Sequence, residues 1–229
     1  MMQLKVPFLA DAKLESAAQE LLRKYAKWKG EVPRPPIPVD DIVEGLLGLS
    51  LTIGDLRARL GKDDVLGATW LDDGHVMIDS SLEGNEGRFC FTLAHEAGHW
   101  VLHRPIIEME KVTVPLFARE PGSKASPAIV CRDKQRDAAE IQADRFAALL
   151  LMPASDVRAT ARQVQGEPLA IDNFVARKKA GEPITELRFL ASEVIERGNF
   201  SNVSNQAMQI RLETLKLVVD ASTAQGRLF

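Results

Sequence analysis

The chain has 229 residues, of which 45% are hydrophobic and 27% charged, with a formal net charge of −3. That length suits one large domain or a domain with an appendage, and that apolar fraction excludes a chain disordered throughout. Residues 1–153 carry net −4 and residues 154–229 net +1, so neither part has the basic excess of an autonomous DNA binder.

The opening, MMQLKVPFLADAKLES, turns charged too early for a signal peptide, and no apolar run approaches the ~18 residues of a membrane span. A cytoplasmic protein without membrane association is expected. Residues 11–28 repeat Leu14, Ala17, Ala18, Leu21, Leu22 and Tyr25 at helical spacing. Prolines 33, 35, 36 and 38 then impose an extended connector. Asp40 is placed to cap a short helix, DIVEGLLG, and LSLTI reads as a strand. Residues 65–79 read as a hairpin, two β-prone runs about Asp72-Asp73-Gly74. A helix is predicted from about Arg88 to His103, ending before Arg104-Pro105. Residues 104–133 show scattered prolines and no period, as in a long loop that could be a lid or a self-cleaved segment. Residues 136–152 form another helix, stopped by Pro153. The tail reads as mostly helical, with amphipathic runs at 184–197 and 204–218. The expected organisation is a first domain over 1–153 and a helical region over 154–229.

Three of the four histidines fall at 95, 99 and 103. His95-Glu96-Ala97-Gly98-His99 is an H-E-x-x-H pattern. On a helix, positions i and i+4 share a face, so both imidazoles can reach one zinc ion. Glu96, beside them, can take a proton from an activated water and return it to the leaving amine, as in a zinc peptidase. A solvent-facing helix with His and Glu would carry the same five letters, so a third ligand is needed to decide.

His103 lies about 12 Å along the helix from His95, too far for one small ion on a straight helix, and reads as a helix-end or pocket residue. His75 sits at a hairpin start and reads as surface. Glu140 and Asp144 share a helical face in RDAAEIQADRFAALLLMP. Glu140 can bind the metal, and Asp144 can accept a hydrogen bond from the far nitrogen of a ligand histidine. Two cysteines, Cys90 and Cys131, lack metal-site spacing and are too few for a disulfide framework. Gly98 inside the helix implies close approach of another backbone or a roomy site.

RFCFTLAHEAGHWVLH followed by VCRDKQRDAAEIQADRFAALLLMP resembles the ImmA/IrrE family of bacterial metallo-endopeptidases. The likeness runs from about residue 5 to 218. It implies an α+β fold, a small zincin-like sheet packed on the H-E-x-x-H helix and a Glu-bearing helix, followed by a helical C-terminal region resembling a helix-turn-helix. It also implies one zinc per chain held by His95, His99 and Glu140, with Glu96 as general base. Asp144 sits where the family carries Asn or Asp, and His103 matches a recurrent histidine without an assigned role. Family members act on repressor-type or antitoxin-type regulators, in stress responses or mobile elements. The connector ERGNFSNVSNQ is longer than a tight helix-turn-helix turn, so packing or substrate recognition, not direct DNA binding, is expected of residues 184–218.

The reading is thus a zinc endopeptidase that cuts a protein regulator. The rival is a non-catalytic regulatory protein that binds a repressor or DNA, its metal site structural or sensory. His103, or an Arg or Tyr not located, is a candidate for stabilising the oxyanion.

Overall fold

The computed structural model describes residues 6–113, 129–132 and 137–224. The chain divides into two compact units, one of residues 1–33 and 38–151, the other of residues 34–37 and 152–229.

The first unit opens with α1 (Asp11–Lys29), which buries Leu14, Ala18, Leu21 and Tyr25 along one stripe. Gly30, at φ 85°, closes it by donating its N–H to the Ala26 carbonyl. Then come α2 (Val39–Asp41), a π-helical turn (Ile42–Leu46), β1 (Ser50–Gly54), α3 (Leu56–Leu60), β2 (Val65–Trp70) and β3 (His75–Asp79). Asp40 is not the expected cap, because α2 starts at Val39 with no side-chain cap bond. A 3₁₀ turn (Ser80–Leu82) precedes α4 (Glu86–Gly98), whose first turn is capped by the Asn85 side chain. The chain continues through a π-helical turn (His99–His103) into α5 (Arg104–Thr113). The sequence expectation of a helix ending at His103 is therefore corrected. Pro105 cannot donate a backbone hydrogen bond, but it enters just after the π turn, where the Arg104 N–H already reaches back five residues to the His99 carbonyl. The supposed loop 104–133 thus holds α5 and β4 (Ile129–Arg132); residues 114–128 and 133 of it lie outside the described residues. The unit ends with α6 (Ala138–Leu151).

The four strands run β1-β3-β2-β4, with β1 parallel to β3 and β2 antiparallel to both β3 and β4. Every residue of β2 is buried, because both faces of the sheet are covered. Ala68 and Trp70 join Leu56, Val65 and Met77 in a cluster with α3. Gly67 and Thr69 alternate to the other face and meet α4. The fold class is α+β, as expected.

On its far side α4 packs against α6, whose buried face is Ala139, Ala143, Phe146, Ala147 and Leu150. Two alanines and Gly98 let the backbones touch. A Cβ on Gly98 would lie 3.1 Å from Phe146 and 3.3 Å from the Ala143 Cα.

The second unit holds α7 (Ala154–Gln165), β5 (Leu169–Ile171), α8 (Phe174–Lys179), α9 (Thr185–Arg197), α10 (Asn205–Thr214), β6 (Val218–Asp220) and α11 (Ala221–Ala224). The second amphipathic run stops at Thr214, short of the expected 218, because Leu217 and Val218 turn to pair with β5. Lys216, at φ 57°, makes that reversal. Arg211 is buried and its Nε donates to the Met152 carbonyl at 3.0 Å, which ties α10 to the start of the unit.

The close contact of α4 and α6 gives a direct test. Gly98→Ala gains about 1 kcal/mol in helix propensity but forces a methyl against backbone that cannot yield, a cost of about 1–3 kcal/mol. The expected net is a loss of about 1 kcal/mol, read as a fall of roughly 2–4 °C in Tm. An unchanged or raised Tm would show that the helices are not held this closely.

Candidate metal centre

α4 and the π turn that continues it present His95 and His99 one turn apart toward α6, and α6 presents Glu140 from its first turn. Their polar atoms converge. His95 Nε2 and His99 Nε2 are 2.8 Å apart. Glu140 places one carboxylate oxygen 3.3 Å from His95 Nε2 and the other 3.2 Å from His99 Nε2. All three residues are buried, and their candidate ligand atoms lie within 4.8 Å of one another.

His95 Nδ1 donates to Asp144 Oδ1 at 2.8 Å. Asp144 stands one turn beyond Glu140, with its side chain 58% exposed. In the neutral ring this bond leaves Nε2 of His95 as a bare lone pair facing His99 and Glu140. Two imidazole nitrogens and a carboxylate, buried with at most one proton among the converging atoms, are a donor set that a cation completes. Two nitrogens and one oxygen suit a divalent ion with a further position left open. The residues therefore fit a metal ion.

The surroundings act on each group differently. Burial pushes Glu140 up, but the His95 and His99 imidazoles beside it outweigh that and hold the carboxyl at about 2. Burial drives His99 down to about 4, so the ring is neutral at ordinary pH and can act as a ligand. Burial pushes Glu96 up to about 7 against the opposing pull of His95 and Thr69.

Glu96, the residue after His95, meets the sheet at β2. The Thr69 hydroxyl donates to its Oε2, while Oε1 has no hydrogen-bond partner among the described residues. Gly67 makes the room: a Cβ there would lie 2.6 Å from Glu96 Oε1 and 2.9 Å from Thr92 Cγ2. Neither Thr69 nor Gly67 was singled out from sequence. A glycine and a threonine two apart in a strand carry no signal until the strand is laid across the helix.

His103 is fully buried, and the structure does not leave it at a helix end. Its Nδ1 lies 2.9 Å from His99 Nδ1, and its Nε2 lies 3.1 Å from Gln142 Oε1. With both nitrogens engaged it has no donor left for an oxyanion. His75 is remote from the group: its ring stacks on Trp70 at 5.2 Å and its Nε2 meets Thr52 Oγ1 at 2.8 Å. Cys90 is half-buried, whereas the side chain of Cys131 lies outside the described residues.

The family model of the IrrE N-terminal-like domain, peptidase family M78, matches residues 55–170, just over half of the chain. The chain belongs to this family, which is of metallopeptidase type. No curated protein matches the chain significantly.

The buried carboxyl of Glu96 has a pH signature. Its folded pKa of about 7 lies above the ordinary 4.5, so the folded chain holds the extra proton between those values. Its contribution to stability is therefore present below about 4.5 and is lost as pH rises through 7. In the metal-stripped chain, Glu96→Gln should gain on the wild type across that window, by on the order of 1–3 kcal/mol in all, and level off above it. Denaturant titrations at pH 5, 6, 7 and 8 measure the difference; a constant difference would mean Glu96 titrates normally.

Proposed function

We propose that the chain is a zinc-dependent endopeptidase that hydrolyses a peptide bond in a protein regulator of the repressor or antitoxin type. The observation that carries this reading is Glu96, a buried carboxyl with one oxygen unpartnered among the described residues, one residue from His95 in a cluster fit for a metal. His95, His99 and Glu140 are the proposed ligands, and zinc is the proposed ion because two imidazoles, one carboxylate and an open position are the ligand set of catalytic zinc. Bound there, zinc would supply Lewis acidity for water and for a peptide carbonyl.

The protein's own part falls to a few side chains. Asp144 fixes the tautomer and direction of His95 through the 2.8 Å bond at Nδ1. Thr69 holds Glu96 by Oε2 and leaves Oε1 to exchange protons. Burial raises the Glu96 carboxyl, so it takes up a proton more readily than an ordinary carboxylate. It can accept a proton from the attacking water at Oε1 and later give it to the departing amine nitrogen.

The regulator as substrate is supported by the likeness to ImmA/IrrE proteins. Residues 154–229 carry a net +1, which favours a role in gripping that protein over direct nucleic-acid binding. Among the described residues no helix is long and apolar enough to cross a membrane, in keeping with a proposed cytoplasmic site of action.

The test is cleavage of a proteome-derived peptide library and of a panel of helix-turn-helix repressors, read by mass spectrometry. The zinc-loaded wild type is expected to cut, and Glu96→Gln, with zinc retained, to be slower by on the order of 10²–10⁴-fold. Equal products from both proteins, or none from the zinc-loaded wild type, would contradict the proposal.

A further inference from the structure

Behind His99 three groups stand in series: buried His103, buried Gln142 and the carbonyl of exposed Pro7. The Pro7 carbonyl accepts a hydrogen bond from Gln142 Nε2 at 2.8 Å. A carbonyl cannot donate, so this bond fixes which way the Gln142 amide faces. Its Oε1 is thereby turned to His103 Nε2, 3.1 Å away. That oxygen can only accept, so His103 Nε2 carries the hydrogen. In the neutral ring, the form that full burial favours, Nδ1 is then a bare acceptor. Among the described residues, the group facing it is His99 Nδ1, at 2.9 Å. His99 must then hold its hydrogen on Nδ1 and present a lone pair at Nε2, toward His95 and Glu140.

We propose that His103 is a positioning residue that sets the tautomer of His99, and that the Pro7 carbonyl, through Gln142, sets the tautomer of His103. The inference rests on the reading of His95, His99 and Glu140 as metal ligands. In this arrangement His103 does for His99 what Asp144 does for His95. The difference is chemical. Asp144 is an exposed anion, whereas His103 is a neutral acceptor buried where an unpaired charge would be costly.

The local fold serves this role. The π turn over His99–His103 brings the two rings to a centroid separation of 5.0 Å, with their Nδ1 atoms facing. Pro7 precedes α1, and Arg145 of α6 pairs with Asp11 in the first turn of α1, which holds the start of α1 beside Gln142's helix. The N-terminal segment thereby reaches the metal ligands without touching them.

Nitrogen NMR of the metal-stripped chain at pH 7.5 tests the order of protons directly. The expected result is His99 protonated at Nδ1 and His103 at Nε2, before any zinc is added. Zinc affinity by chelator competition gives the second readout. His103→Leu, which removes the acceptor at similar volume, should weaken zinc by roughly 10–100-fold. His103→Asn should stay within about threefold of wild type, because Oδ1, like Nδ1, is attached to Cγ and can accept from His99. Gln142→Met should leave all three rings in place yet loosen the tautomer preference of both His99 and His103. A metal-stripped His99 protonated at Nε2, or His103→Leu binding zinc as wild type does, would overturn the inference. A wild type that binds no zinc, with the proton order as stated, would instead overturn the ligand reading beneath it.

Discussion

The backbones of α4 and α6 meet at Gly98 and Ala143, and the candidate site depends on that contact. A Cβ at Gly98 would stand 3.3 Å from the Ala143 Cα, so a residue of ordinary size there would wedge the helices apart. The ligand candidates are divided between them: His95 on α4 and His99 on the π turn that continues it, Glu140 on α6. At the present separation the Glu140 oxygens come within 3.2 and 3.3 Å of the imidazole nitrogens. A helix shift of an ångström would break both approaches. Gly98 weakens its own helix in isolation, and the packing of Ala143 and Phe146 against it offsets that weakness.

Burying such polar groups has to be reconciled with the cost of removing them from water. The three side chains converge in an interior where unpaired polar atoms are unfavourable. Partners behind the cluster supply the compensation. Asp144 takes the hydrogen of His95 Nδ1, and His103 stands at His99 Nδ1. The atoms left facing inward are acceptors, which is why a cation suits them. Glu96 differs from the rest. Thr69 satisfies one of its oxygens, Gly67 gives the other room, and neither supplies a positive charge. Burial therefore raises its carboxyl, while that of Glu140 is lowered by the imidazoles beside it. Two buried glutamates, one on α4 and one on α6, are thus set apart chemically: one is suited to hold charge and the other to pass a proton.

The parts of this arrangement legible in the sequence were those encoded at short range. H-E-x-x-H placed His95, Glu96 and His99 on one turn of helix, and the four-residue step from Glu140 to Asp144 placed both on one face of the next. The hairpin and α1 followed from alternation and helical periodicity. What escaped was encoded at long range. Thr69 meets Glu96 across 27 positions, His103 meets Gln142 across 39, and Gln142 meets Pro7 across 135. No spacing rule reaches that far. The continuation of the helix beyond His103 escaped for a different reason: Pro105 ordinarily ends a helix, and the π turn that accommodates it leaves no mark in composition. The short β5-β6 pair was hidden too, since three-residue strands carry almost no period.

The central claim is that His95, His99 and Glu140 together hold one metal ion in a site built by two helices. Zinc stoichiometry with X-ray absorption at the zinc edge tests it most directly, on chain purified without chelator. The account predicts one zinc per chain with two imidazole nitrogens and one carboxylate oxygen in its coordination shell. It also predicts that Glu140→Ala loses the ion and that Asp144→Ala weakens it by roughly 10–100-fold. A chain that takes up no metal even with zinc added, or a Glu140→Ala variant that binds as tightly as wild type, would contradict it.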